Sequence, residues 1–254
     1  MKKVILILLI SIVSQLTYAA SNMLVWPIYQ MIESDQKGSI LWLENRGNND
    51  INLQVRILRW NQKDQQDVYQ DQQDVVASPP FMLVPAGQRQ LVRILKQVNI
   101  PAQQEWAYRI VIDEIPSQVQ PAQATVGLNL QMRYVLPLFL YGNDISTVVR
   151  TDKKHGSKTV TQPVLRWNIE SQGNKKFIAF HNSGIVHARI SNVFFGDSND
   201  PQKASTVIAK GLLGYVLPGQ KMVWSIDQNK MILSDKKLFV QLEDNSPAIE
   251  ITKY

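Results

Sequence analysis

The sequence predicts an all-β chain folded as two β-sandwich domains. Three observations carry that reading. Apolar and polar residues alternate in short segments separated by Pro, Gly and Asn turns. No long stretch follows the period of an amphipathic helix. A pair of turn signatures occurs in the first half and again, in the same order, in the second.

The elements follow in chain order. Met1-Lys2-Lys3 precedes an apolar run from Val4 to Val13, and small residues close the segment at Ala19-Ala20. A charged start, an apolar core and a small-residue exit read as a signal peptide over residues 1–20. The run is short for a membrane-spanning helix, a retained anchor being the alternative. About 235 residues then remain, enough for two ordinary domains. No second long apolar stretch follows, so membrane insertion of the mature chain is not expected.

Ile40 to Leu43 runs into the turn Asn45-Arg46-Gly47, and Ile51, Leu53, Val55 and Ile57 then alternate with polar partners. Such alternation puts the apolar set on one face of a strand. Asn61 to Asp74 is polar throughout and reads as a surface loop. Further strands are expected at Met82–Val84, Leu91–Leu95, Trp106–Ile112 and Val126–Phe139, between turns at Ser78-Pro79-Pro80, Pro85-Ala86-Gly87 and Ile115-Pro116-Ser117.

The second half repeats two of these marks. Leu41 to Gly47 is similar to Ile178 to Gly184, each an apolar strand ending in Asn-x-Gly. Leu83 to Val92 is similar to Val216 to Val223, the first turning at Pro85-Ala86-Gly87-Gln88 and the second at Pro218-Gly219-Gln220. The marks lie about 42 and about 38 residues apart in their halves, as two copies of one module would place them. A boundary at Tyr141-Gly142 gives domains 21–141 and 142–254. Lys237 to Glu243 and Ala248 to Tyr254 form an expected closing hairpin.

Composition removes several function classes. The 27 Lys and Arg against 21 Asp and Glu give a net charge of +6, spread along the chain with no extended basic run, so nucleic acid is not an expected partner. The absence of cysteine rules out disulfides, thiol catalysis and Cys-type zinc sites. Only His155, His181 and His187 are present; none has further ligands at metal spacing, and His181 and His187 read as surface or turn residues. Asp64, Asp67, Asp71 and Asp74 lack the glycine and spacing of a calcium loop and read as a solvated run. No nucleophile elbow, P-loop or dinucleotide fingerprint is present. Asp113 and Glu114, adjacent on a strand, point to opposite faces and do not pair for acid–base work. Neither a cofactor nor an enzymatic activity is expected.

Three segments in sequence resemble the PapD-like periplasmic chaperones of the chaperone–usher pathway. Ser78-Pro79-Pro80-Phe81 through Leu83-Val84-Pro85-Ala86-Gly87-Gln88 to Leu91-Val92-Arg93-Ile94 is similar to that family's strand–turn–strand. Trp106 to Pro116 is similar to its strand F with the Glu-Ile-Pro exit, and Arg133 to Phe139 to the end of its strand G. Trp26-Pro27-Ile28 and Arg133-Tyr134 to Pro137 look closest to the archaic branch. The resemblance implies two immunoglobulin-like β-sandwich domains set at an angle, with a cleft between them and a candidate cis peptide at Ser78-Pro79.

It also implies a function. Such chaperones bind pilus subunits that lack their last strand, fold and cap them by lending a strand, and deliver them to the outer-membrane usher. Val126, Leu128, Leu130 and Met132 share one face of the segment where the family keeps its donor strand. From alternation alone the same residues read as an ordinary sandwich strand facing its own core. The family holds the subunit's terminal carboxylate with basic residues in the cleft. Here Pro27 and Pro137 fall at or near those positions. Arg109 and Arg133 become the candidate anchors, with an ordinary sheet-face arginine as the alternative for each. The competing functions are a secreted adhesive or carbohydrate-binding pair of sandwiches and a secreted β-rich hydrolase.

Overall fold

Residues 22–116, 131–147, 160–230, 236–244 and 246–254 are described by the structure, a computed structural model. Residues 1–20, expected to be a signal peptide, lie outside them, as do Val126, Leu128 and Leu130. Among the described residues the only helical element is one 3-10 turn, Pro201–Lys203. No helix among them is long and apolar enough to cross a membrane.

Two sheets form the first sandwich. One has the order β1-β3-β8-β6, built from Met23–Trp26, Gly38–Asn45, Arg89–Lys96 and Val75–Ser78. The other runs β2-β10-β9-β4-β5, from Gln30–Ile32, Arg133–Tyr141, Glu105–Ile115, Ile51–Lys63 and Gln66–Gln70, with β7 (Phe81–Val84) also paired to β4. The chain switches sheets between β1 and β2, where Pro27 has no N–H to offer a ladder; the Trp26–Pro27 and Ser78–Pro79 peptides are both cis. The expected face of β4 is the core face: Ile51, Leu53, Val55 and Ile57 are all buried, with Leu41, Leu43, Val92 and Ile94 opposite.

The second sandwich is one sheet folded over on itself, in the order β14-β13-β16-β17-β11-β12-β15. Its strands are Leu165–Gln172 (β11), Lys175–Asn182 (β12), Ala188–Gly196 (β13), Thr206–Val216 (β14), Lys221–Ile226 (β15), Lys237–Gln241 (β16) and Ile249–Lys253 (β17). β17 joins the layers, antiparallel to β16 at one end and parallel to β11 at the other. The expected closing hairpin is therefore present. Trp167, Phe180, Ile190, Val193 and Phe195 lead the core between the layers.

The two repeated turn signatures meet in space within each sandwich. Asn45 ends β3 and Asn182 ends β12. Asn45 Nδ2 donates to the carbonyls of Asn49 and Val84 at 2.8 and 2.9 Å, and its Oδ1 accepts from the Gly47 N–H. Asn182 Nδ2 donates to the carbonyls of Val186 and Val216 at 2.7 and 3.1 Å, and its Oδ1 accepts from Gly184. The Pro-Gly turns close on the same residues. Gly87 N–H donates to the Asn45 carbonyl and Gly219 N–H to that of Asn182, both glycines at φ +71, a left-handed conformation that glycine adopts without steric cost.

The segment Asn61–Asp74, expected as a loop, is largely ordered strand. β4 runs on to Lys63, turns at Asp64 (φ 50) and Gln65 (φ 64), and returns as β5. The buried residues of β4 change parity along its length. Odd positions to Ile57 face the first core, whereas Trp60 and Gln62 face the opposite side of the sheet and are buried there. The acids are not all solvated either. Asp67 accepts from Trp60 Nε1, Gln62 Nε2 and Tyr69, and Asp74 from Arg59 and Tyr108.

Candidate functional site: the interdomain cleft

The outer face of the β2-β10-β9-β4-β5 sheet is where the second sandwich packs. Trp60, Phe139 and Tyr141 from the first half meet Val186, Tyr215 and Leu217 from the second in a separate buried cluster. Polar groups fix the register of this contact. Gln62 Nε2 donates to the Tyr215 carbonyl at 2.9 Å, and its Oε1 accepts from the Leu217 N–H at 2.8 Å. The side chain thus completes the hydrogen bonds of a backbone segment in the other sandwich. Replacing Gln62 with Ala leaves both groups buried and unpaired, so unfolding stability should fall by about 2 kcal/mol. Guanidinium denaturation followed by tryptophan fluorescence measures this.

His187 is not at the surface. Its ring stacks on Phe139 with centroids 3.5 Å apart and planes within 3°. Nδ1–H donates to Glu105 at 2.7 Å, and Nε2 meets the Tyr29 hydroxyl at 2.6 Å. Glu105 also accepts the His187 backbone N–H. Burial pushes the Tyr29 hydroxyl far above its ordinary range, and the charge of Glu105 adds to this. The imidazole therefore pins the two sandwiches together.

Beside this junction opens a cleft of about 680 Å³, walled by both halves. Ile28, Val135 and Leu212 line it and are half to two-thirds exposed. Its basic side chains are Arg109 on β9, His187, and Arg189 on β13. Arg109 stands opposite Pro137 in the β9–β10 ladder. Its guanidinium lies 3.6 Å above the Trp60 ring and 5.2 Å from that of Tyr215, and its Nε is buried without a hydrogen-bond partner.

Arg133 is at the other end of β10, opposite Asp113 and outside the cleft lining. Asp113 accepts from both Arg133 and Arg56. Burial pushes its carboxyl up, but the hydrogen bonds from the two arginines outweigh burial and hold it below the usual range. The structure therefore brings Arg109 to the cleft and holds Arg133 in a surface ion pair.

β10 also shows where a sandwich face ends. Leu136, Leu138 and Leu140 are buried in the first core and Tyr134 packs at its edge. Met132, next on that face, is 38% exposed. Among the described residues, burial on this face ends between Tyr134 and Met132. Of the four candidate donor residues only Met132 lies among those described.

Nothing local in the sequence marks His187, Arg189 and Tyr215 as lining the cleft, or Glu105 as part of the junction beside it. For Gln62 alone a local signal existed, since Trp60 and Gln62 keep the two-residue period of a strand.

The family profile described as pili and flagellar-assembly chaperone, PapD N-terminal domain, matches residues 29–146. A crystal structure of the CsuC–CsuE chaperone–tip adhesion subunit pre-assembly complex, from archaic chaperone–usher Csu pili of Acinetobacter baumannii, contains a chain 31% identical to this one. The match covers 92% of this chain and 99% of that one, with a TM-score of 0.69. The structure of Salmonella enterica SafA pilin in complex with the SafB chaperone matches at 16% identity and a TM-score of 0.62, over 92% and 97% of the two chains. The E. coli chaperone DraB matches at 14% identity and a TM-score of 0.58, over 93% and 97%. The last two likenesses concern the fold alone. No curated protein sequence matches significantly.

Proposed function

This chain belongs to the PapD-like family of pilus chaperones, and we propose that it lends the strand segment leading into β10 to unfinished pilus subunits and passes them to an outer-membrane usher. As in the family generally, the work is binding and not catalysis. Pilus chaperones of this family are periplasmic, and residues 1–20 are the proposed export signal. We place the two domains at 21–141 and 142–254, so that β10 ends the first.

The observation that carries the proposal is the emergence of one face of β10 from its own core at Met132. Leu130, Leu128 and Val126 continue the same sequence period beyond that point. A subunit lacking its last strand exposes an unpaired sheet edge and an apolar groove. A lent strand pairs the edge through its backbone and fills the groove with alternate side chains. Arg109 is the leading anchor for the subunit's terminal carboxylate, because it lines the cleft with a buried donor to spare. Arg133, already engaged by Asp113, is the auxiliary one.

Co-expression with a pilus subunit encoded beside this chain tests the reading. A soluble one-to-one complex is expected; a subunit that aggregates as it does alone would sink it. Arg109→Ala should weaken capture by roughly ten-fold or more, with Arg133→Ala costing less and both variants still folded by circular dichroism. Unchanged capture by the double variant removes the anchor assignment.

A further inference from the structure

The cleft holds an ion pair whose two halves are buried very unequally. The Arg189 side chain is 20% exposed and that of Asp244, on the turn after β16, is 73% exposed. Arg189 Nη2 meets Asp244 Oδ1 at 2.9 Å, and its Nη1 donates to the Ser191 hydroxyl. Arg189 stands opposite Tyr215 in the β13–β14 ladder, and Arg109 approaches the same tyrosine from the first sandwich. The Tyr215 hydroxyl feels all three charges. Burial pushes it up, Arg189 and Arg109 pull it back, and Asp244 pushes it up again. One guanidinium from each sandwich therefore reaches a common point on the cleft wall, and an acid of the chain itself sits on one of them. Glu243 lines the same cleft, with its charge felt at Tyr29.

We infer that Asp244 is a resident stand-in for the subunit's terminal carboxylate, held on Arg189 until the subunit displaces it and Arg189 joins Arg109 as a second anchor. This rests on the chaperone reading of the cleft given above. A mostly buried guanidinium left without a counterion is costly, so the empty chaperone needs one. An ion pair with one partner largely in water is weak, so that counterion leaves readily. The exchange conserves charge: one carboxylate returns to solvent as another leaves it. The incoming group gains two guanidiniums where Asp244 had one, and a guanidinium can hold a carboxylate through two parallel bonds.

The test uses the full mature chain and two forms of one subunit encoded beside it, one with its natural C-terminus and one carrying a Gly-Ser tail that moves the carboxylate out of the cleft. Capture is measured as the subunit refolds. With the natural subunit, Asp244→Ala should tighten capture about three-fold, and Arg189→Gln should weaken it about ten-fold. With the tailed subunit both effects should vanish. An Asp244→Ala variant that captures the natural subunit no better than wild type overturns the inference, as does a gain that persists with the tailed one. Should Arg189→Gln fail to fold, Asp244→Ala decides alone, since it alters an exposed turn. A wild-type chain that captures neither subunit sinks the chaperone reading and this inference together; a wild-type complex indifferent to Asp244→Ala sinks this inference only.

Discussion

Replacing Leu128 and Leu130 together with aspartate is expected to abolish the soluble complex with a pilus subunit and to leave a folded monomer. Each leucine seated in a subunit groove contributes roughly 1.5–3 kcal/mol, and ten-fold in affinity is about 1.4 kcal/mol. Loss of the pair alone therefore weakens capture roughly 10²- to 10⁴-fold. The aspartates raise the penalty, because an apolar groove offers a carboxylate neither water nor a partner. The monomer should keep its melting temperature, since on the face of β10 that carries Leu136, Leu138 and Leu140 the burial already ends at Met132, before the two leucines are reached in sequence. Gel filtration of co-expressed material reads the complex, and a thermal melt reads the fold. A melting temperature lowered along with capture would mean that the two leucines belong to the chaperone's own core, and the strand-donation reading would fail.

What was legible in the sequence shared one physical property: its cause was local. The period of Ile51 to Ile57 and the Asn-x-Gly and Pro-Gly turns each depend on residues within a few positions, and each corresponds to an observed element. The illegible part was the junction between sandwiches. Gln62 keeps the two-residue period with Trp60 but is polar, and Asp67 is charged, so neither marks a buried face by its residue type; their polar atoms are satisfied across the junction or across the hairpin. His187 reads as a turn residue until Glu105 and Phe139, distant in the chain, enclose it. Arg189 is one more exposed-strand cation until Asp244 meets it. Interfaces between domains are part polar and built from remote residues, so one-dimensional patterns carry little trace of them. The same reasoning explains the unequal standing of the two candidate anchors. Spacing on adjacent strands could nominate Arg109 and Arg133 alike. Only the packing of Trp60 and Tyr215 around one of them separates cleft from surface.

The duplicated asparagine provides the second large effect. Asn182→Ala removes two donated bonds and the accepted bonds from Gly184 and Val164, leaving the buried carbonyls of Val186 and Val216 and two N–H groups without that partner. At about 1 kcal/mol or more for each group stranded, the second sandwich should lose about 3–5 kcal/mol. That is a large share of a domain's whole stability. Asn45→Ala strands the Asn49 and Val84 carbonyls and the Gly47 N–H and should destabilise the first sandwich by a similar amount. Aspartate is no substitute at either position: it keeps the acceptor but replaces both donors with a charge that is fully buried, since Asn45 and Asn182 are each 0% exposed. Guanidinium denaturation of the two alanine variants measures both losses. Matched shifts in the midpoint would show that the repeat marks a common structural bracket, one strand end tied to the turn that follows. A loss below about 1 kcal/mol at either site would mean that water replaces the amide there, and that the sequence repeat records shared ancestry without shared energetics.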